Sequence, residues 1–162
     1  MSTSFNISRD KIGYYFETAR DRPSGFTNAA IIITLLKSSG LEADATLADH
    51  DDVAALLAAS NDQADFTNFV RKTVFGTGGT GITKTVDDSG NRVLLDLPDQ
   101  TWVDAGGAAN NSLGKVLIAF DPDTTAGTDS TLIPLLAHDI TATTDGNDLI
   151  IRFHADGAAR VI

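Results

Sequence analysis

The 162-residue chain is the size of one domain, contains no cysteine and carries a formal net charge of -10. Without cysteine there are no disulfides, thiolate metal sites or thiol catalysis, and so acidic a chain repels polyanions, which argues against a direct nucleic-acid partner. The strongest apolar run, 29–36, is broken by Thr34 and is far shorter than the roughly 20 residues of a membrane helix; the opening Ser2-Thr3-Ser4-Phe5-Asn6 lacks the basic start and apolar stretch of a signal peptide.

Residues 1–28 read as an N-terminal arm. Ile12, Tyr14, Tyr15 and Phe16 form an aromatic patch, and the breaker-rich Arg20-Asp21-Arg22-Pro23-Ser24-Gly25 follows it. Periodicity leaves a short helix and an edge strand equally open for the patch. The arm either docks on its own domain or clasps a neighbouring subunit, which makes Tyr14, Tyr15 and Phe16 candidate interaction residues. Ile31-Ile32-Ile33-Thr34-Leu35-Leu36 is apolar without alternation, the pattern of a strand covered on both faces. After an irregular acidic connection, a helix is predicted over 49–60. Asp49 caps it, Asp51 and Asp52 sit near the positive end of its dipole, and Val53, Leu56, Leu57 and Ser60 share one face.

Strand and turn signals dominate from there. A strand is predicted over 69–75, carrying Arg71 and Lys72. Beyond the glycine-rich 76–81, residues 82–86 pair with 92–97 through Asp87-Asp88-Ser89-Gly90-Asn91, placing Val93, Leu95 and Leu97 on one face. Trp102, the single tryptophan, reads as a core anchor, or as a ligand platform should it stand exposed beside the loop 104–114. Residues 116–120 form a second doubly covered strand, and 121–130 a long polar loop. Strands follow at 132–136, placed at an edge by Pro134, and at 139–143. Asp145-Gly146 is a tight-turn pair with Leu149, Ile151 and Phe153 alternating behind it, so a hairpin is predicted there; 158–162 then closes the sheet. The expected fold is mainly β over 29–162: an antiparallel β-sandwich or barrel, jelly-roll-like, with one short inserted helix.

Candidate chemistry is sparse. Gly76-Thr77-Gly78-Gly79-Thr80-Gly81 matches the dinucleotide pattern G-x-G-x-x-G, but Ile82-Thr83-Lys84-Thr85-Val86 is β-branched where that motif needs a helix, so a flexible loop is expected and no nucleotide cofactor. His50, His138 and His154 lack the spacing of a metal site or of a nucleophile motif. Asp87 with Asp88, and Asp121, Asp123 and Asp129, offer oxygens to Ca²⁺, yet the EF-hand offsets are absent and aspartate also favours turns for its own backbone bonds. Neither a catalytic residue nor a metal site is assigned.

A resemblance enters at the level of successive segments. Ile31-Ile32-Ile33-Thr34-Leu35-Leu36-Lys37, Asp49-His50-Asp51-Asp52, Val70-Arg71-Lys72-Thr73-Val74, Val86-Asp87-Asp88-Ser89-Gly90-Asn91-Arg92-Val93 and Asp99-Gln100-Thr101-Trp102 follow one another, then 116–121, the stretch 124–136 and the Asp145-Gly146 turn. From about residue 30 onward this succession resembles small proteins encoded among the structural genes of tailed bacteriophages. The resemblance implies a virion component rather than an enzyme: a capsid decoration protein, or one at the head–tail or tail-fibre attachment. It also implies a homo-oligomer, a trimer by kinship, made in the host cytoplasm and partnered by other virion proteins such as major capsid or tail proteins, with neither nucleic acid nor membrane as partner. Two rival classes remain open. One is a carbohydrate- or ligand-binding β-module, which needs Trp102 exposed; the other is a hydrolase with two facing carboxylates, one with a raised pKa.

Overall fold

The computed structural model describes residues 2–77, 80–154 and 158–161. At its centre lies a five-stranded antiparallel sheet, in the order β1 (Ser2–Ser4), β8 (Ile133–Thr143), β7 (Ser112–Asp121), β2 (Ala30–Lys37), β3 (Lys72–Val74). The two unalternating apolar runs are its adjacent middle strands, with Ile31 opposite Phe120 and Ile33 opposite Ile118. Because successive side chains point to opposite faces, such runs stay buried only if both faces are covered.

They are. Ile31, Ile33, Leu35, Val116, Ile118 and Phe120 face one apolar core, and Ala30, Ile32, Leu36, Leu117 and Ala119 face another. The first core is closed by α1 (Ile12–Asp21) and by two small sheets. One of these has the order β10 (Ala159–Val161), β5 (Arg92–Asp96), β4 (Thr83–Asp87); the other pairs β6 (Gln100–Trp102) with β9 (Leu149–Ile151). The second core is closed by Phe5 and by two short helices, α2 (Asp44–Leu47) and α3 (Val53–Ala58), through Leu47, Val53 and Leu56. The protein is thus mainly β, antiparallel and sandwich-like, and no sheet closes into a barrel among the described residues.

Residues 2–28 belong to this body. β1 pairs with β8, Phe5 and Phe16 are fully buried, and Ile12, Tyr15, Phe16 and Ala19 all pack into the first core. That i, i+3, i+4, i+7 spacing is a helical stripe, which decides between the helix and the edge strand left open for the aromatic patch. Arg22, at φ 46°, ends α1 by donating its N–H to the Thr18 carbonyl oxygen, just before Pro23.

Several elements differ from the expectation. Helix α3 starts at Val53, not near Asp49. Asp52 is its cap, accepting the Ala55 N–H at 2.7 Å, while Asp49 accepts from the Asn6 side chain instead. The strand predicted over 69–75 shrinks to β3 because Asn68 sits at φ 69° and the Val70 carbonyl is turned inward to the Trp102 indole N–H, 2.7 Å away. The strands predicted at 132–136 and 139–143 are one strand, β8. Pro134 lies not at an edge but opposite Ala119 where the β7–β8 register shifts, an irregularity that tolerates its missing N–H. The turn at Asp145-Gly146 forms, with Gly146 at φ 98°, yet β9 does not fold back onto β8. Gly146 N–H donates to the Ala105 carbonyl oxygen and Ala105 N–H to that of Asn147, and these bonds carry β9 across to β6. The 83–87 and 92–96 hairpin has the expected pairing, Val86 opposite Val93, and β10 extends that sheet.

Candidate interaction surface

Of the four candidate interaction residues, two are buried in the core and a third packs against it. Phe16 is fully buried, and Tyr15 packs against Phe120 with ring centroids 4.9 Å apart. Trp102 is buried under Phe69, whose ring lies parallel to it at 6.5 Å. The platform reading required an exposed tryptophan, and this one is sealed, with its N–H satisfied inside. Tyr14 alone faces out, 54% exposed.

Tyr14 marks a larger surface. One turn further along α1, Glu17 shares its side of the helix and forms an ion pair with Lys84 of β4. The Gly76 N–H bonds the Ala19 carbonyl oxygen and the Ile82 N–H bonds that of Gly76, so the loop that leads into β4 is tied to the last turn of α1. Lys84 and Val86 stand opposite Leu95 and Val93, on the core side of their sheet, yet they overhang the core edge, and Val86 is 60% exposed. Residues 83–86 are exposed on both faces of the strand, and β4 is the last strand of its sheet. Its outer N–H and C=O groups therefore have no strand partner among the described residues.

The end of this edge is closed by a hydrogen-bonded turn. The Asp87 carboxylate accepts hydrogen bonds from Ser89 Oγ (2.7 Å), Gly90 N–H (2.9 Å) and Arg92 Nε (2.8 Å). Those bonds hold its pKa down at about 2, with the Ser89 hydroxyl the largest cause. They also fix the turn that leaves Asp88 exposed beside the strand. None of Glu17, Lys84 or Val86 was singled out in the sequence. The signal was there in Thr83-Lys84-Thr85-Val86-Asp87, a β-branched run too polar to be covered on either face.

The remaining candidates resolve into structural roles. Gly76, Thr77, Thr80 and Gly81 lie in the loop before β4, while Gly78 and Gly79 fall outside the described residues. A Cβ on Gly81 would stand 2.5 Å from the Gly76 carbonyl oxygen, which is why glycine is needed there; a strand, not a helix, follows. His50 Nε2 meets the Glu42 carboxylate at 2.7 Å, and Asn61 donates to the same oxygen at 2.6 Å, so Glu42 is held below the usual carboxylate range. Asp129 forms a two-point ion pair with Arg71. Burial pushes Asp121 up, and its carboxylate accepts the Asp123 N–H while lying against Gly127. Asp123 instead accepts from Thr125. Among the described residues no three His, Asp or Glu side chains converge as metal ligands.

Two further features are built around titratable groups. Lys115, nearly buried, holds Asp44 at 2.7 Å and also Asp139, both below the usual carboxylate range. This clamps α2 to β7 and β8. A cleft of about 280 Å³ beside it is lined by His138, Ile140, Ile151, Arg152, Phe153 and His154, among others; burial pushes the His138 imidazole down from its ordinary value.

No family model, curated protein or solved structure matches the chain.

Proposed function

We propose that this protein is a structural component of a tailed-phage virion, a capsid decoration or head–tail or tail-fibre attachment protein that works through protein–protein contacts. The observation that carries the contact role is the β4 edge, exposed on both faces and carrying Val86, with the exposed Tyr14 one turn of α1 from the Glu17–Lys84 pair. An open edge offers a ladder of backbone donors and acceptors, and proteins that do not use such an edge usually shield it. The phage assignment rests on the succession of segments from about residue 30 onward. The acidic charge suits docking on a basic or mixed protein surface rather than on nucleic acid.

The direct test is peptide mass spectrometry on density-purified particles of the tailed phage that encodes the chain, together with co-sedimentation of the purified protein on particles lacking it. Peptides present in fixed proportion to the capsid protein, and saturable binding, are the expected results. Absence from particles combined with no binding would overturn the proposal.

A further inference from the structure

We infer that the β4 edge pairs with the β4 edge of a second copy of this chain, antiparallel and about a two-fold axis through Val86. The inference rests on the contact role proposed above and names its partner.

Geometry restricts the choice. Two copies of one edge strand forming a continuous antiparallel sheet are related by a two-fold axis normal to the sheet, so some residue must stand opposite itself. Charge then selects the register. An axis through Lys84 sets two ammonium groups against each other, and one through Asp87 sets two carboxylates together. An axis through Thr85 sets Val86 against Lys84, whose ammonium is already paired with Glu17 of its own chain, and leaves the exposed Asp88 opposite the buried Ile82 with no cation. Centred on Val86, the valines meet, Thr85 stands opposite Asp87, and Lys84 faces Asp88 of the other copy, once on each side of the axis. Asp88, exposed and first in the turn that the Asp87 hydrogen bonds close, supplies the facing carboxylate. For two chains each carrying a formal charge of -10, such local matching is what separates a specific contact from mutual repulsion. The pairing is isologous and uses the β4 edge of both copies, so this contact closes at two copies.

The test is a charge swap read by light scattering and sedimentation equilibrium, at concentrations up to the order of millimolar because a single edge is a small contact. The wild-type chain is expected to dimerise. Lys84→Glu and Asp88→Lys, each alone, should weaken association roughly tenfold or more, since each sets like charges opposite each other twice. Mixing the two variants should restore it, because the mixed dimer again has one cation and one anion at both positions. Lys84→Glu also breaks the pair with Glu17 of its own chain, so Asp88→Lys, in an exposed turn, is the cleaner reversal, and circular dichroism of both variants checks that the fold is intact. A wild-type monomer, a trimer, or a dimer indifferent to both reversals would overturn self-pairing. So would a monomer whose β4 edge is covered only on phage particles, which would assign the edge to another virion protein. All of these results leave the virion proposal standing; it falls separately, on failure to be found on or bind particles.

Discussion

Trp102 shows how one side chain shapes its neighbourhood. Its indole N–H takes the Val70 carbonyl at 2.7 Å, its face meets Phe69, and the Lys72 ammonium sits 5.1 Å from the ring. Trp102→Phe removes the hydrogen bond and part of the packing volume, and is expected to cost about 1–3 kcal/mol in urea unfolding followed by far-UV circular dichroism. The titratable residues make a second prediction. Burial depresses the His138 pKa, so on acidification the unfolded chain takes up a proton near pH 6.5 before the native chain does. Stability contributed by neutral His138 is therefore present above that pH and lost as pH falls through the native value. The carboxylates Asp44, Asp129 and Asp139, held low chiefly by hydrogen bonds from Lys115, Arg71 and Lys115 respectively, follow the same sign at lower pH. Asp87 gives up its share between about 4 and about 2. Urea midpoints should thus fall in two stages, and His138→Asn should remove the first; a profile flat from pH 7 to 5 in the wild-type chain would contradict the assignment.

At the scale of elements, the short helix α3 depends on its cap. Asp52→Ala should lower stability by about 1 kcal/mol, because the Ala55 N–H loses its acceptor. Asp49→Ala should cost less, since Asp49 bonds only an exposed Asn6 side chain; equal urea midpoints for the two would refute the capping assignment. Asp49, Asp51 and Asp52 are chemically interchangeable as caps in the sequence, and the structure selects Asp52, whose backbone is extended and whose carboxylate takes the Ala55 N–H. The central strands were legible because Ile31-Ile32-Ile33 and residues 116–120 do not alternate, and a covered strand leaves that trace whatever covers it. The β4–β5 hairpin was legible because its turn chemistry is local. The expected β8–β9 hairpin fails for the converse reason: the Asp145-Gly146 turn is local, but where β9 goes is set by bonds to Ala105, distant in the chain and invisible to turn signals. The interaction surface was half legible. Tyr14 stands out by its aromaticity, whereas Lys84 and Val86 count only because β4 ends its sheet and is exposed on both faces.

For the whole molecule, residues 2–28 are the main test of how the layers depend on one another. They supply β1, the buried Phe5 and Phe16, and the Tyr15 ring over Phe120, and each fully buried large apolar side chain contributes about 1.5–3 kcal/mol. Total stabilities of domains are of the order of 5–15 kcal/mol, so a chain beginning at residue 29 is expected to lose cooperative unfolding in calorimetry. A sharp transition in that shortened chain would show the segment to be a detachable arm. The β4 edge, a terminal strand exposed on both faces, offers its backbone to another chain without rearranging the body.

Amide hydrogen exchange along Thr83–Asp87 tests that claim most directly, measured on the dilute chain, on the concentrated chain and on the chain bound to particles. Exchange at the outward-facing amides should slow markedly on self-association and stay slow on particles, while the buried amides of β2 and β7 remain protected throughout. Fast exchange at the β4 edge in all three states, with protection appearing elsewhere, would contradict the account.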